Sequence, residues 1–299
     1  MNNYTFTLLL LLFSFAQAQT SKYDIRPSSL KSNYFMGVKI LDSIEVSLDE
    51  LSALAYKDNR LYAINNLGTL YSFDLELKNS KIESLKLIKT VELKNKKGIK
   101  LSKKKRDSEG AVIVGDKLFI SFERKPRVNL FSLSGIKIKK FKIDKELRDI
   151  NNYQGKNRAL ESMAYSSKYG VLTAPELALK NRNRKFHTIY AKNRVWNFSA
   201  SGKLSALEFI SGNEIMALER ESGAITGGKV ITLTKVFLDR CEAGVCKSEV
   251  LAKLSTKDGW RVGDFEGLTK VDKNRFLMVS DNDGSFFQKT LLVFFEIMD

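Results

Sequence analysis

Acidic side chains recur in this chain in a repeated local setting. Asp107 and Glu109 stand two residues apart, and Asp264 and Glu266 repeat that spacing. Alternate residues of a strand face the same side, so each pair would present two carboxylates together. Glu161 occupies a similar place in Leu160-Glu161-Ser162. About 14 or 15 residues after each such segment comes a second polar signature. The signatures are Asn65-Asn66, Glu123-Arg124, Glu176, Glu219-Arg220 and Asp281-Asn282-Asp283. A buried carboxylate without a partner is costly, so acids repeated in register imply partners. Two kinds are open. Arg106, Arg124, Arg158 and Arg220 stand close by in sequence and could neutralise the acids by bidentate pairing. A hard cation such as Ca2+ could instead be held by the Asp, Glu and Asn oxygens.

The elements that must carry these residues form a repeat. Five segments align: Leu51–Tyr56, Asp107–Val112, Leu160–Tyr165, Leu204–Phe209 and Asp264–Thr269. Each is followed by a polar turn and a strongly apolar run (RLYAINN, KLFISFE, YGVLTAPE, EIMALERE, RFLMVSDND) that ends in the polar signature. Two short strands joined by a tight turn have this length. Further β-branched and aromatic runs follow most of them, such as TLYSFDLEL with SLKLIKTVEL, and RVNLFSLS with KIKKFKI. A four-stranded unit recurring along a chain describes a propeller blade, whose innermost strand lines a central channel. The expected fold is all-β: a single β-propeller over 19–299 with five four-stranded blades, a sixth remaining possible. The last unit has three strands, ending in TLLVFFEI, and Phe35–Val46 can supply the fourth and close the ring. The competing arrangement is a β-sandwich with extra hairpins.

Residues Leu8–Phe15 form a short apolar run before Ala16-Gln17-Ala18. That run is too short to span a bilayer and reads as a signal peptide over 1–18. The expected location is periplasmic or secreted, with no transmembrane segment. Cys241 and Cys246 would then staple a hairpin tip as a disulfide. The chain holds 50 Lys+Arg against 34 Asp+Glu, a net charge of +16, which allows a weak association with anionic surfaces. The densest run, Lys94–Arg106, has no aromatic residue to stack on a base, so no specific nucleic-acid binding is expected.

The one histidine, His187, sits in RNRKFHTIY. That stretch reads as an outer strand or loop away from the inner motifs, which argues against a Ser-His-Asp triad. One His and one close Cys pair also make a transition-metal site improbable. No phosphate-binding glycine loop and no Gly-x-Ser-x-Gly elbow is present.

In order along the chain, RDSEGAV with LFISFE, NRALESMAY with VLTAPE, MALERE, and GDFEGLT with FLMVSDND resemble the successive motifs of the phytase-like family, described as having esterase-like activity of phytase. The resemblance implies a β-propeller, export and a phosphoester hydrolase activity. It departs at Ala159-Leu160, where the family tends to place Gly before the Glu, and in the Leu51 segment, which lacks an acid. On this reading Glu109, Glu161 and Glu266 are candidate catalytic groups. Asp107, Asp264, Asp281, Glu123, Glu176 and Glu219 are candidate ligands of Ca2+. Arg124, Arg158 and Arg220 are candidate contacts for an anionic small molecule such as a phosphate ester. The alternative is a non-catalytic envelope propeller that binds a ligand or a protein.

Overall fold

The computed structural model describes residues 19–30, 34–222, 228–285 and 287–298; the leader expected over 1–18 lies outside the described residues. The strands begin with β1 (Thr20–Lys22), β2 (Tyr34–Phe35) and β3 (Val38–Val46). An antiparallel meander follows, of β4 (Leu51–Lys57), β5 (Arg60–Asn65), β6 (Thr69–Lys78) and β7 (Lys81–Glu92). The second meander is β8 (Ser108–Val114), β9 (Lys117–Phe122), β10 (Arg127–Ser132) and β11 (Lys137–Phe141). The third is β12 (Leu160–Ser166), β13 (Gly170–Pro175), β14 (Phe186–Tyr190) and β15 (Val195–Ser199). The fourth is β16 (Lys203–Ser211), β17 (Glu214–Ser222), β18 (Lys229–Glu242) and β19 (Val245–Ser255). A single parallel bridge, Asn197 to Val245, joins the third and fourth into one 8-stranded sheet. The last meander runs β20 (Asp264–Lys270), β21 (Arg275–Asp281) and β22 (Leu291–Ile297), and β3 pairs with β22 as its next strand.

No α-helix occurs among the described residues, and none of their helices is long and apolar enough to cross a membrane. The first strands of the meanders neighbour one another in sequence order, and β20 returns to β4. This closed ring of inner strands is a β-propeller. The apolar core is divided to match, because each sheet buries both faces. One cluster joins the first meander to the second (Ile64, Leu70, Ile120, Phe122), and another joins the second to the third (Val112, Val128, Leu160, Met163). Tight turns match the strand twist: Asp58 and Asn59, between β4 and β5, both have positive φ, 52° and 58°.

The structure joins Cys241 to Cys246 across the β18–β19 hairpin. The tip of that hairpin leans on the third meander, where Asn197 Nδ2 donates to the Gly244 carbonyl at 2.9 Å. Protein handled without reductant is expected to resist alkylation at both cysteines, and Cys→Ser at both is expected to cost about 2 kcal/mol for so short a loop. Thiol mass spectrometry and denaturant unfolding check the two statements.

Candidate metal and anion site in the central channel

Each inner strand carries an irregularity at the same place. Leu51 pairs with Asn65 and Ala53 with Ile64, which leaves Ser52 outside the ladder. In the same way Glu161 is skipped between Leu160 and Ser162, Ser205 between Leu204 and Ala206, and Glu266 between Phe265 and Gly267. On β8 the skipped residues are Glu109 and Gly110. A bulge frees a residue from the alternation and re-aims its side chain. Here the repeated bulge presents Ser52, Glu109, Glu161, Ser205 and Glu266, one from each inner strand.

Glu109, Glu161 and Glu266, the three expected catalytic acids, therefore line one narrow space. It measures about 10 Å³ for the centre of a water, room for one water or one ion. The strands approach closely because Gly follows Glu in two of them. A Cβ at Gly110 would sit 2.6 Å from the Glu161 carbonyl, and one at Gly267 would sit 2.9 Å from the Leu54 nitrogen.

A second layer comes from the ends of the second strands. Glu123 N donates to the Asp107 carbonyl and Glu176 N to the Ala159 carbonyl. Arg220 pairs with Lys203, and Asp281 with Asp264, at the corresponding positions. The fourth meander thus places Arg220 and Lys203 where others place acids. Arg220 Nη1 lies 2.5 Å from Glu266 Oε1 and Nη2 lies 3.5 Å from Glu176 Oε1, while Lys203 Nζ reaches Glu176 at 3.0 Å. Asp264 is paired with Lys229 at 2.5 Å. Asp281 accepts the Asp283 N–H at 2.7 Å.

Glu219, expected as a ligand beside the others, is turned away. Its backbone pairs with Leu204, one register position before Arg220. Its buried carboxylate is occupied by His187 Nε2 at 3.1 Å, Ser201 N at 2.6 Å and Thr234 Oγ1 at 2.7 Å. His187 does lie on an outer strand, β14, but it is not remote from the motifs, since it ties the third meander to Glu219 of the fourth.

What remains is a compact acidic group on the second meander. One carboxylate oxygen each of Asp107, Glu109 and Glu123 lies within 4.8 Å of the other two. Arg124 Nε sits 2.9 Å from Asp107 Oδ2, an ion pair off the line of a hydrogen bond. Glu123 accepts from Ala159 N at 3.2 Å. Burial, then repulsion from Glu161, Glu266, Glu123 and Asp107, pushes Glu109 well above the carboxylate range. Burial and the charges of Glu176 and Glu123 do the same to Glu161, against the pull of Arg220. Burial lifts Glu123 to about 7, with Asp107 and Glu176 adding to it and the Ala159 N–H opposing. Glu266 is lifted to about 8 by burial despite Arg220, and Asp281 to about 6 by burial despite the Asp283 N–H. Burial would lower Arg220, but Glu266, Glu161 and Glu176 outweigh it and raise it.

Cations border this group. Residues Lys103–Lys105 form an exposed turn just before Asp107. Arg127 donates to the carbonyls of Lys125 and Lys105, and burial lowers it to about 10 against the pull of Asp107. Arg158 is exposed and has no carboxylate within ion-pairing distance among the described residues. Of the three arginines expected to contact an anion, Arg220 has both terminal nitrogens on carboxylates, Arg124 is shared with Asp107, and Arg158 is unengaged.

Residues 47–284 match the family model described as phytase-like, esterase-like activity of phytase. The chain belongs to the phytase-like family. The matched span takes in every bulged glutamate and every second-strand signature, so the site is built from family sequence. No curated protein sequence matches the chain. Among solved structures, the chain is similar to a glutaminyl cyclase of Myxococcus xanthus, at 11% identity, with a TM-score of 0.45 and coverage of 88% of this chain and 97% of that one. It is also similar to the Dos1 propeller, at 10% identity and a TM-score of 0.37, covering 89% and 77% of the two chains.

Proposed function

We propose that this phytase-like chain is an exported five-bladed propeller that hydrolyses phosphate esters with a hard cation, Ca2+ foremost, held by Asp107, Glu109 and Glu123. On this reading residues 1–18 are a leader and 19–299 one periplasmic or secreted domain. The observation that carries the proposal is the three carboxylate oxygens gathered within 4.8 Å. Oxygens bound to calcium at about 2.3–2.6 Å fall within such a spread. Without a cation, burial and crowding hold Glu109 and Glu123 at raised proton affinity, and a cation replaces those protons.

When bound, the ion would polarise a phosphoryl oxygen and acidify water. The protein's own groups have separate tasks. The channel admits only a water or an ion, so the ester must stay at the mouth. There Arg158 and Arg124 offer planar forks that match phosphate geometry, and Lys103–Lys105 add attractive charge. Glu161, raised by burial and its acidic neighbours, would hold a proton deeper in the channel. Glu176, Asp264 and Glu266 are balanced by Lys203, Arg220 and Lys229, and they shape the site rather than bind the ion.

That internal neutralisation favours a second reading, in which the propeller binds an anionic ligand in the envelope without turning it over. Calorimetric titration with calcium, paired with a phosphoester panel with and without chelator, separates the two. Glu109→Gln and Glu123→Gln are each expected to weaken calcium binding tenfold or more, and Glu219→Gln is expected to leave it unchanged. Chelator-sensitive ester cleavage supports hydrolysis. Calcium binding with no turnover supports the second reading, and failure to bind calcium sinks the cation site.

A further inference from the structure

A cavity of about 460 Å³ opens at the periphery, between the second and third meanders. Its volume lies in the range of small-molecule sites. It exists because this boundary is closed differently from others. Lys137 N donates to the Lys94 carbonyl and ties the first meander to the second, and Asn197 N donates to Gly244 between the third and fourth. Among the described residues no backbone hydrogen bond joins β11 to β13, β14 or β15. The inter-sheet core therefore runs outward into open space.

The floor of this space is apolar and aromatic. Phe141 is held edge-on by Phe119, with ring centroids 5.3 Å apart. Val171 and the buried Tyr190 face it from the third meander. The rim is cationic. Lys142, Lys145, Arg148 and Lys192 border the cavity and are exposed. None of the four is within ion-pairing distance of a carboxylate among the described residues. Arg148 is fixed at the rim by two hydrogen bonds to the Ile143 carbonyl, at 3.1 and 2.7 Å. The one lining acid, Asp144, accepts the Glu146 N–H at 3.0 Å.

An apolar pocket beneath a rim of net positive charge selects a ligand with the opposite layout. The geometry points to a binding site for a single-chain amphiphilic anion, its alkyl body against Phe141, Val171 and Tyr190 and its phosphate or carboxylate head among Lys142, Lys145, Arg148 and Lys192. This site is separate from the acidic channel, and it stands whether or not the channel is catalytic. Charge complementarity excludes a cationic amphiphile, and the aromatic floor distinguishes the site from a merely basic surface.

The test is calorimetric titration of the full protein, in chelator, with dodecyl phosphate below its micellar threshold. Butyl phosphate, inorganic phosphate and vesicles of an anionic phospholipid are titrated in parallel. Saturable one-to-one binding of dodecyl phosphate is expected, at least tenfold tighter than butyl phosphate and not displaced by inorganic phosphate. The triple variant Lys142→Glu, Lys145→Glu, Lys192→Glu changes only exposed side chains and is expected to weaken binding tenfold or more. Absence of saturable binding, equal affinity in the triple variant, or binding to vesicles without binding of the monomer would each overturn the pocket.

Discussion

Replacing Arg220 with methionine is expected to cost the protein about 3–5 kcal/mol of stability at pH 9 and measurably less at pH 5. Arg220 stands between Glu266, at 2.5 Å, and Glu176, at 3.5 Å, with its side chain only 17% exposed. Methionine fills similar space but removes the counter-charge, so buried carboxylates are left facing one another. Breaking one side of a buried ion pair is costly because it strands the other charge. The pH dependence follows from Glu266, which burial already lifts to about 8. At pH 5 it carries a proton in either protein, so removing Arg220 strands less charge there than at pH 9, where Glu266 must ionise as well as Glu176 losing its partner. Urea unfolding at the two pH values checks this. An equal loss at both would mean that Arg220 acts through packing alone.

The second large effect concerns pH and calcium together. In the metal-free protein, stability is expected to fall as pH rises from about 5 to about 8, and millimolar calcium is expected to restore it at the upper end. Glu123 moves from an ordinary value of 4.5 to about 7 on folding, Glu266 from 4.5 to about 8, and Asp281 from 3.8 to about 6. Between the ordinary and the raised values the native state holds more protons than the unfolded chain. Stability then declines with rising pH, by on the order of 3 kcal/mol for Glu123 alone once it must ionise. These acids interact, so they titrate as a group rather than singly. A drop in melting temperature on the order of 5 °C or more is expected across this window. Calcium binds the ionised form, so it should raise the melting temperature at pH 8 and do little at pH 5. A calcium effect as large at pH 5 as at pH 8 would contradict proton–cation exchange at Glu109 and Glu123.

Glu208 supplies an internal control for the pH argument. It lies off the channel and accepts the Phe209 and Lys270 N–H groups at 2.8 and 3.2 Å. Burial raises it to about 7 despite those bonds. It therefore adds to the pH dependence without any coupling to calcium, and Glu208→Gln should flatten part of the metal-free curve while leaving calcium affinity intact.

Much of this architecture is determined locally. The repeat of small and apolar residues followed by a turn and an apolar run is enough to place the inner and second strands, because a period of two along a short run leaves little choice. The N-terminal strand that joins β22 is legible from the missing fourth strand of the last unit. The convergence of Glu109, Glu161 and Glu266 is legible too, since they recur at one place in the repeat. Of the outer strands of the third meander, β14 is legible only as a strand or loop and β15 is not placed, because both are just five residues long.

The orientation of the second-strand signatures is decided only by the tertiary structure. In sequence Glu219-Arg220 looks like Glu123-Arg124, with the acid first in both. In the structure Glu123 follows Phe122, the partner of Ser108, whereas Glu219 is itself the partner of Leu204. A shift of one residue turns a side chain to the opposite face of a sheet. Arg220 thereby enters the channel, and Glu219 is carried into the boundary with the third meander, where His187 meets it. Residue type and spacing bring acids to the channel by themselves; strand register, set by bulges and by packing between sheets, decides which of two neighbours arrives there and with what charge.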